Sequence, residues 1–183
     1  KNDLTDSYYD REEFTDYEAR AGLTRELELG YVPALLTSEA GARTLEYAYD
    51  DYTVAVAANL TGHPEWSNYF VNRSKNYRNM WNAETQFMEA RYENGTWCPL
   101  NSTWTEATNW VYTFNVQHDF AGLRDLFKGP EALNNKLNAY FDGGLNDQTN
   151  EPSHATVFAY LYANNPSKAQ TVIRSLLKNN YYN

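Results

Sequence analysis

The sequence predicts a mainly α-helical fold, a helical array or part of an α/α barrel, and three observations predict it. Apolar residues recur at spacings of three and four rather than two. Prolines stand where helices begin, and glycine or asparagine pairs where they end. The connections left between those segments are short, which favours antiparallel helical hairpins. Along the chain, Leu45, Tyr49, Tyr52 and Val56 form one stripe of a helix that starts near Arg43 and ends near Gly62-His63-Pro64. A second helical stretch follows from Glu65 to Trp81. Gln86 to Trp97 reads as extended or irregular, broken at the turn pair Asn94-Gly95. Phe120 to Phe127 is a short helix stopped by Gly129, and Pro130 to Phe141 is the next, closed by Asp142-Gly143-Gly144. Pro152 begins another, with Glu151 at its N-cap position. The last helix has Asn165 as N-cap, Pro166 at its first position and a close at Asn179-Asn180. Its expected buried stripe is Ala169, Val172, Ile173, Leu176 and Leu177.

The 183 residues fit one domain, whose usual span is ~100–200, and such a chain buries roughly 70% of its unfolded surface. Nine Gly and six Pro exclude collagen and low-complexity disorder. No apolar run approaches the ~18–20 residues that span a bilayer. The net charge of −9 repels phosphate, so nucleic acid and anionic membrane are not expected partners; a neutral ligand, a cation or a metal is. Aromatic residues make up 16% of a chain whose mean hydropathy is −0.74, supplying rings both for a core and for stacking on sugars. Cys98 stands alone, which excludes a disulfide framework or a Cys-based zinc site within the chain. The sequons at Asn59, Asn72, Asn94 and Asn101 together favour a secreted, glycosylated protein.

Three places hold residues unusual for a plain helix. Glu46, Asp50 and Asp51 crowd carboxylates onto one segment; a solvated helix face shared with Arg43 accounts for them. In "WTEATNW", Glu106 lies between Trp104 and Trp110. A carboxyl packed on indole loses hydration and rises in pKa, as a general acid requires, whereas a capping carboxylate at a helix start is the simpler reading. In "TNEPSH", Asn150 and Glu151 offer hard oxygen ligands suited to calcium, against the plain alternative of an N-cap. The positive end of the helix opposes a cation there, so a metal would need oxygens from elsewhere. His63, His118 and His154 are too scattered for zinc.

Read together, the segments "DYEARAGLTRELELGYVP", "SEAGARTLEYAYDDY", "NRSKNYRNMWNAETQFMEAR", "WTEATNWVYTFNVQHDFAGL" and "TNEPSHATVFAYLY" resemble glycoside hydrolase family 92, the calcium-dependent exo-acting α-mannosidases. The texture is most similar to secreted fungal members. The resemblance implies a catalytic (α/α)6 barrel joined to an N-terminal β-sandwich, with this chain as one partial domain from the barrel's centre. It implies Glu106 as general acid and Ca2+ held in part by Asn150 and Glu151. Trp104, Trp110 and His154 are the expected sugar-contacting residues, and mannose-containing glycans the substrate. The implied mechanism is inversion, in which an acid protonates the leaving oxygen and a carboxylate activates water.

The family's general base is an aspartate in a Gly-Asn-(Glu/Asp)-Asp motif expected beyond Tyr181-Tyr182. Neither Asp119 nor Asp147 has that context, so the remaining segments of the polypeptide are expected partners and residues 1–183 alone are expected to be inactive. The chain departs from the family pattern at Ala107, where Gly is usual, at Ala155, where a second His is common, and at Leu145, where His is frequent. The alternatives from other classes are a glycan-binding helical module without hydrolase activity and an inert fragment.

Overall fold

Short helical hairpins do dominate the structure, a computed structural model that describes residues 20–181. Residues 16–19, which open the first family-like segment, and Tyr182 lie outside the described residues. The described chain gathers into two units: one runs through residue 82 and includes 88–109, and the other takes 83–87 and continues from 110. Among the described residues, no helix is long and apolar enough to cross a membrane.

In the first unit, α1 (Leu23–Leu29) is bracketed by Gly22 and Gly30, both at positive φ. A Cβ at Gly30 would sit 2.5 Å from Asn79 Nδ2 and would have to displace that side chain, and the positive φ also favours glycine there. Next comes α2 (Ala40–Leu60), turned by Gly62 into α3 (Pro64–Arg73), and the two pack as an αα-hairpin. Pro64 opens α3 where a missing N–H costs nothing. The second helical stretch is shorter than expected. It breaks after Arg73, where the Ser74 hydroxyl donates back to the Val71 carbonyl, and resumes as the 3-10 turn η1 (Asn76–Met80). The short strands β1 (Trp81–Asn82), β2 (Phe87–Met88), β3 (Ala90–Arg91) and β4 (Trp97–Cys98) follow. β3 pairs antiparallel with β4, Ala90 opposite Cys98 and Arg91 opposite Trp97, across the Asn94-Gly95 turn. The 3-10 turn η2 (Asn101–Thr103) comes after.

The face that α2 buries differs from the expected stripe. Leu45 is buried, but Tyr52 and Val56 are exposed, and the buried set is Thr44, Tyr47, Ala48, Asp51 and Ala55. Charge sets this rotation. Asp51, 1% exposed, accepts from Arg20 Nη1 and Arg73 Nε, each at 2.7 Å. Arg73 Nη2 donates to Glu26 Oε2 at 2.8 Å, and Asn76 Nδ2 donates to Glu26 Oε1 at 2.9 Å. The solvated-face reading therefore fails for Asp51 alone, which is turned inward to join α1, α2, α3 and η1, while Asp50 is exposed and Glu46 half-buried. Burial pushes the Glu26 carboxyl up, against the pull of Arg73.

In the second unit, Asp119 caps α5 (Phe120–Leu126), its Oδ1 accepting from the Gly122 N–H at 2.8 Å. Gly129 precedes α6 (Pro130–Asp142), and α8 (Pro166–Asn180) starts as expected, with Asn165 Oδ1 accepting from the Lys168 N–H at 3.2 Å. Between them the chain forms the 3-10 turns η3 (Glu151–Ser153) and η4 (Thr156–Phe158), then α7 (Ala159–Tyr162). The helix expected from Pro152 is thus a run of 3-10 turns, and Asn150 rather than Glu151 takes the N-cap position. α6 packs on α5 and α7, and α7 on α8. Phe114, Leu123, Leu133, Leu137, Tyr140 and Tyr160 form the buried interior. Of the expected stripe on α8, Ala169 and Val172 are buried, Ile173 and Leu176 half-buried, and Leu177 exposed.

Candidate active site

The loop carrying Glu106 belongs to the first unit and runs as bends from Trp104 to Ala107, after η2 and before α4 (Asn109–Tyr112). Trp104 anchors it. Its indole is 7% exposed and lies against Gly41 near the start of α2, where a Cβ would come within 2.8 Å of the ring. Glu106 itself is exposed, at φ +52°. The carboxyl expected to be desolvated between two indoles is therefore open to solvent, because Trp104 is spent on the helix beneath it. The left-handed backbone costs a non-glycine residue roughly 1–2 kcal/mol. Leu35, Glu39, Gln86, Lys128 and Asn164 share positive φ, so this conformation alone does not mark a site. Beside the loop lies a cleft of about 360 Å³ whose walls include Glu89, Trp97, Trp104, Asn101 and Asn109.

The other candidates belong to the second unit. Trp110 is half-buried, with Phe87 edge-on at 4.8 Å between centroids. The Lys136 ammonium lies 3.3 Å from the Phe87 centroid and 4.5 Å from that of Trp110. Burial lowers the Lys136 pKa to about 8. In the segment before η3, Asp147 Oδ1 accepts from the Thr149 N–H at 2.9 Å and from its hydroxyl at 2.6 Å. Those bonds hold the Asp147 carboxyl below its usual range. Asn150 is half-buried and Glu151 exposed; His154 is exposed, with Nε2 3.1 Å from the Gln148 carbonyl oxygen.

The donor chemistry of this segment suits a hard cation. Glu151 offers a carboxylate and Asn150 an amide oxygen, and Asn146 Oδ1 nearby is a buried acceptor without a hydrogen-bond partner among the described residues. No cluster of three or more His, Cys, Asp or Glu suited to a metal occurs among the described residues. Calcium takes six to eight oxygens, so these groups could supply only part of its shell. Asn146, Glu89, Trp97 and Lys136 were not singled out from sequence. The first has its signal only in a buried, unmatched oxygen, and the others only in how folding brings them beside their neighbours.

The family model for the glycosyl hydrolase family 92 catalytic domain matches residues 2–183. An uncharacterized secreted glycosidase from Arthroderma benhamiae is 31% identical over 199 residues, covering 86% of this chain and 26% of its own. The structure is similar to a family GH92 inverting mannosidase from Bacteroides thetaiotaomicron, with a TM-score of 0.83 and 27% identity over 89% of this chain and 26% of that one. It is also similar to a family GH92 α-mannosidase from the same organism in complex with mannoimidazole, with a TM-score of 0.80 and 29% identity over 92% of this chain and 26% of that one. The chain spans about a quarter of the length of these relatives.

Proposed function

The chain belongs to glycosyl hydrolase family 92, and we propose that the protein containing it is a secreted glycosidase that releases α-linked mannose from glycans. Its mainly helical fold is part of the (α/α)6 barrel of that family. We read residues 1–183 as one partial domain of that barrel. The observation that carries the proposal is the family match across nearly the whole chain, together with a carboxylic acid on an exposed loop beside an aromatic and amide-lined cleft.

Glu106 is the proposed general acid. Its part is to hold a proton at the carboxyl and pass it to the glycosidic oxygen as the bond to the anomeric carbon breaks. Trp104 fixes the loop, while Trp110 and His154 contact the sugar. Inversion needs a second carboxylate to take a proton from water on the opposite face, ~6.5–9.5 Å from the first. Asp119 is engaged as a helix cap and Asp147 by Thr149, which supports a base supplied by other segments of the polypeptide. Asn150 and Glu151, with Asn146 beside them in the chain, would hold calcium, which when bound would order sugar hydroxyls by direct coordination.

The test is release of mannose by the whole protein, with and without Glu106→Gln, from an α-mannoside with a poor leaving group. Loss of turnover that is milder for an activated aryl mannoside supports the reading. Equal turnover of both substrates by the variant refutes it.

A further inference from the structure

We propose that Asn94 is the sequon at which the folded protein accepts an N-linked oligosaccharide, and that Asn59, Asn72 and Asn101 are poor acceptors once the chain has folded. This rests on the reading of the protein as secreted and is independent of its mannosidase assignment. All four asparagines are exposed, so exposure alone does not rank them. What ranks them is the hydroxyl two residues on, which the acceptor motif requires in addition to the amide.

At Asn94 the two groups meet. The Thr96 hydroxyl donates to Asn94 Oδ1 at 2.7 Å, and the Thr96 N–H donates to the same oxygen at 3.0 Å. Both bonds favour negative charge on that oxygen and so make an Nδ2 proton easier to lose. Thr96 is itself exposed. The turn that holds the pair is local. The Gly95 N–H donates to the Tyr92 carbonyl and the Tyr92 N–H to the Thr96 carbonyl, each at 2.9 Å. Gly95, at φ +83°, is the left-handed residue of a three-residue hairpin loop. A Cβ there would meet nothing within 4 Å, so the tip stands in open space. Glu93 Oε1 lies 2.9 Å from Arg25 Nη2, which ties the flank of the tip to α1.

The other three sequons place the hydroxyl elsewhere. Residues two apart on a helix do not face each other. Asn59 lies in the last turn of α2, Asn72 in that of α3, and Asn101 in η2. The Thr61 hydroxyl donates to the Ala57 carbonyl, that of Ser74 to Val71 and that of Thr103 to Leu100, each at 2.8 Å. Ser74 and Thr103 are also buried, at 5% and 4% exposure. A transferase can reach amide and hydroxyl together at these sites only after the local helix opens.

In the transfer, Asn94 Nδ2 forms a bond to the anomeric carbon of an oligosaccharide carried on a polyprenyl diphosphate. The anomeric C–O bond breaks, the diphosphate leaves with its electron pair, and one amide proton passes to a base of the host transferase.

The experiment starts from the whole protein, made unglycosylated in bacteria and folded. It is incubated with a single-subunit oligosaccharyl transferase and a lipid-diphosphate oligosaccharide, beside four short peptides that each carry one sequon. Intact glycopeptide masses give the initial rate at each asparagine, so spontaneous deamidation at Asn94-Gly95 is not read as transfer. Dividing each rate by that of its peptide removes the effect of local sequence. The normalised rate at Asn94 should exceed each of the others by at least about tenfold, which corresponds to only ~1.4 kcal/mol of local opening at those sites. Protein from its own source should carry a glycan on Asn94. Equal normalised rates at the four sites, or Asn94 bare in that protein while another sequon is occupied, would overturn the proposal. All four sequons bare there, with Asn94 still favoured in vitro, would instead overturn the secreted reading on which it rests.

Discussion

Asp51→Asn tests the internal frame of the first unit. The wild-type carboxylate bridges two arginines at 2.7 Å each, at 1% exposure, and the set Arg20, Arg73, Asp51 and Glu26 is formally neutral. Asparagine keeps one acceptor oxygen but leaves a buried excess of one positive charge. Breaking a buried pair by removing one partner costs about 3–5 kcal/mol, and the retained oxygen places the expected cost near 3 kcal/mol. At 1.4 kcal/mol per tenfold, local opening of α2 and α3 should become more than about a hundredfold easier. Hydrogen–deuterium exchange of amides in 44–55 and 66–73, followed by mass spectrometry on the whole protein, reads that change directly. Exchange that accelerates by less than about fivefold would refute the buried bridge and restore the solvated acidic face suggested by sequence alone.

Glu106→Gln should keep the fold and lower turnover on a poor leaving group by ~10²–10⁴; Glu106→Gly should also abolish turnover yet raise local stability by about 1 kcal/mol, because glycine accepts the positive φ freely. Chelation should remove activity and calcium restore it, with Glu151→Ala raising the calcium concentration needed; unchanged metal dependence would reject Glu151 as ligand. Lys136 is a base whose folded pKa is lowered, so the unfolded chain binds more protons between about 8 and 10.5 and stability should rise with pH across that window. Lys136→Met lacks that rise, so urea midpoints of parent and variant should change their separation between pH 7 and pH 10; a constant separation would contradict the half-buried ammonium.

The boundaries of α6 and α8 were legible because they are local. Pro130, Pro166, Asn165 and Gly143 act through their own backbone or a side chain three residues away, and α6 and α8 begin and end where they indicate. The buried face of α2 was not legible. Asp51 is turned inward by Arg20, 31 residues before it, and Arg73, 22 residues after, and neither appears in the helix's own period. At the candidate site, the identity of Glu106 came from its motif, but its solvent exposure depends on Trp104 lying against Gly41, far earlier in the chain. The cleft beside it needed the Arg91–Trp97 register to appear. Pro152 pointed to a helix with Glu151 as its cap, whereas the segment forms 3-10 turns and Asn150 takes the cap position.

Proton NMR of the whole protein acting on an α-linked mannobiose, with calcium present, tests the glycosidase assignment most directly. Free mannose should appear with β as its first-formed anomer, and the release should be lost on Glu106→Gln. Absence of mannose release despite a folded, calcium-supplied protein, or release that continues unchanged in Glu106→Gln, would contradict it.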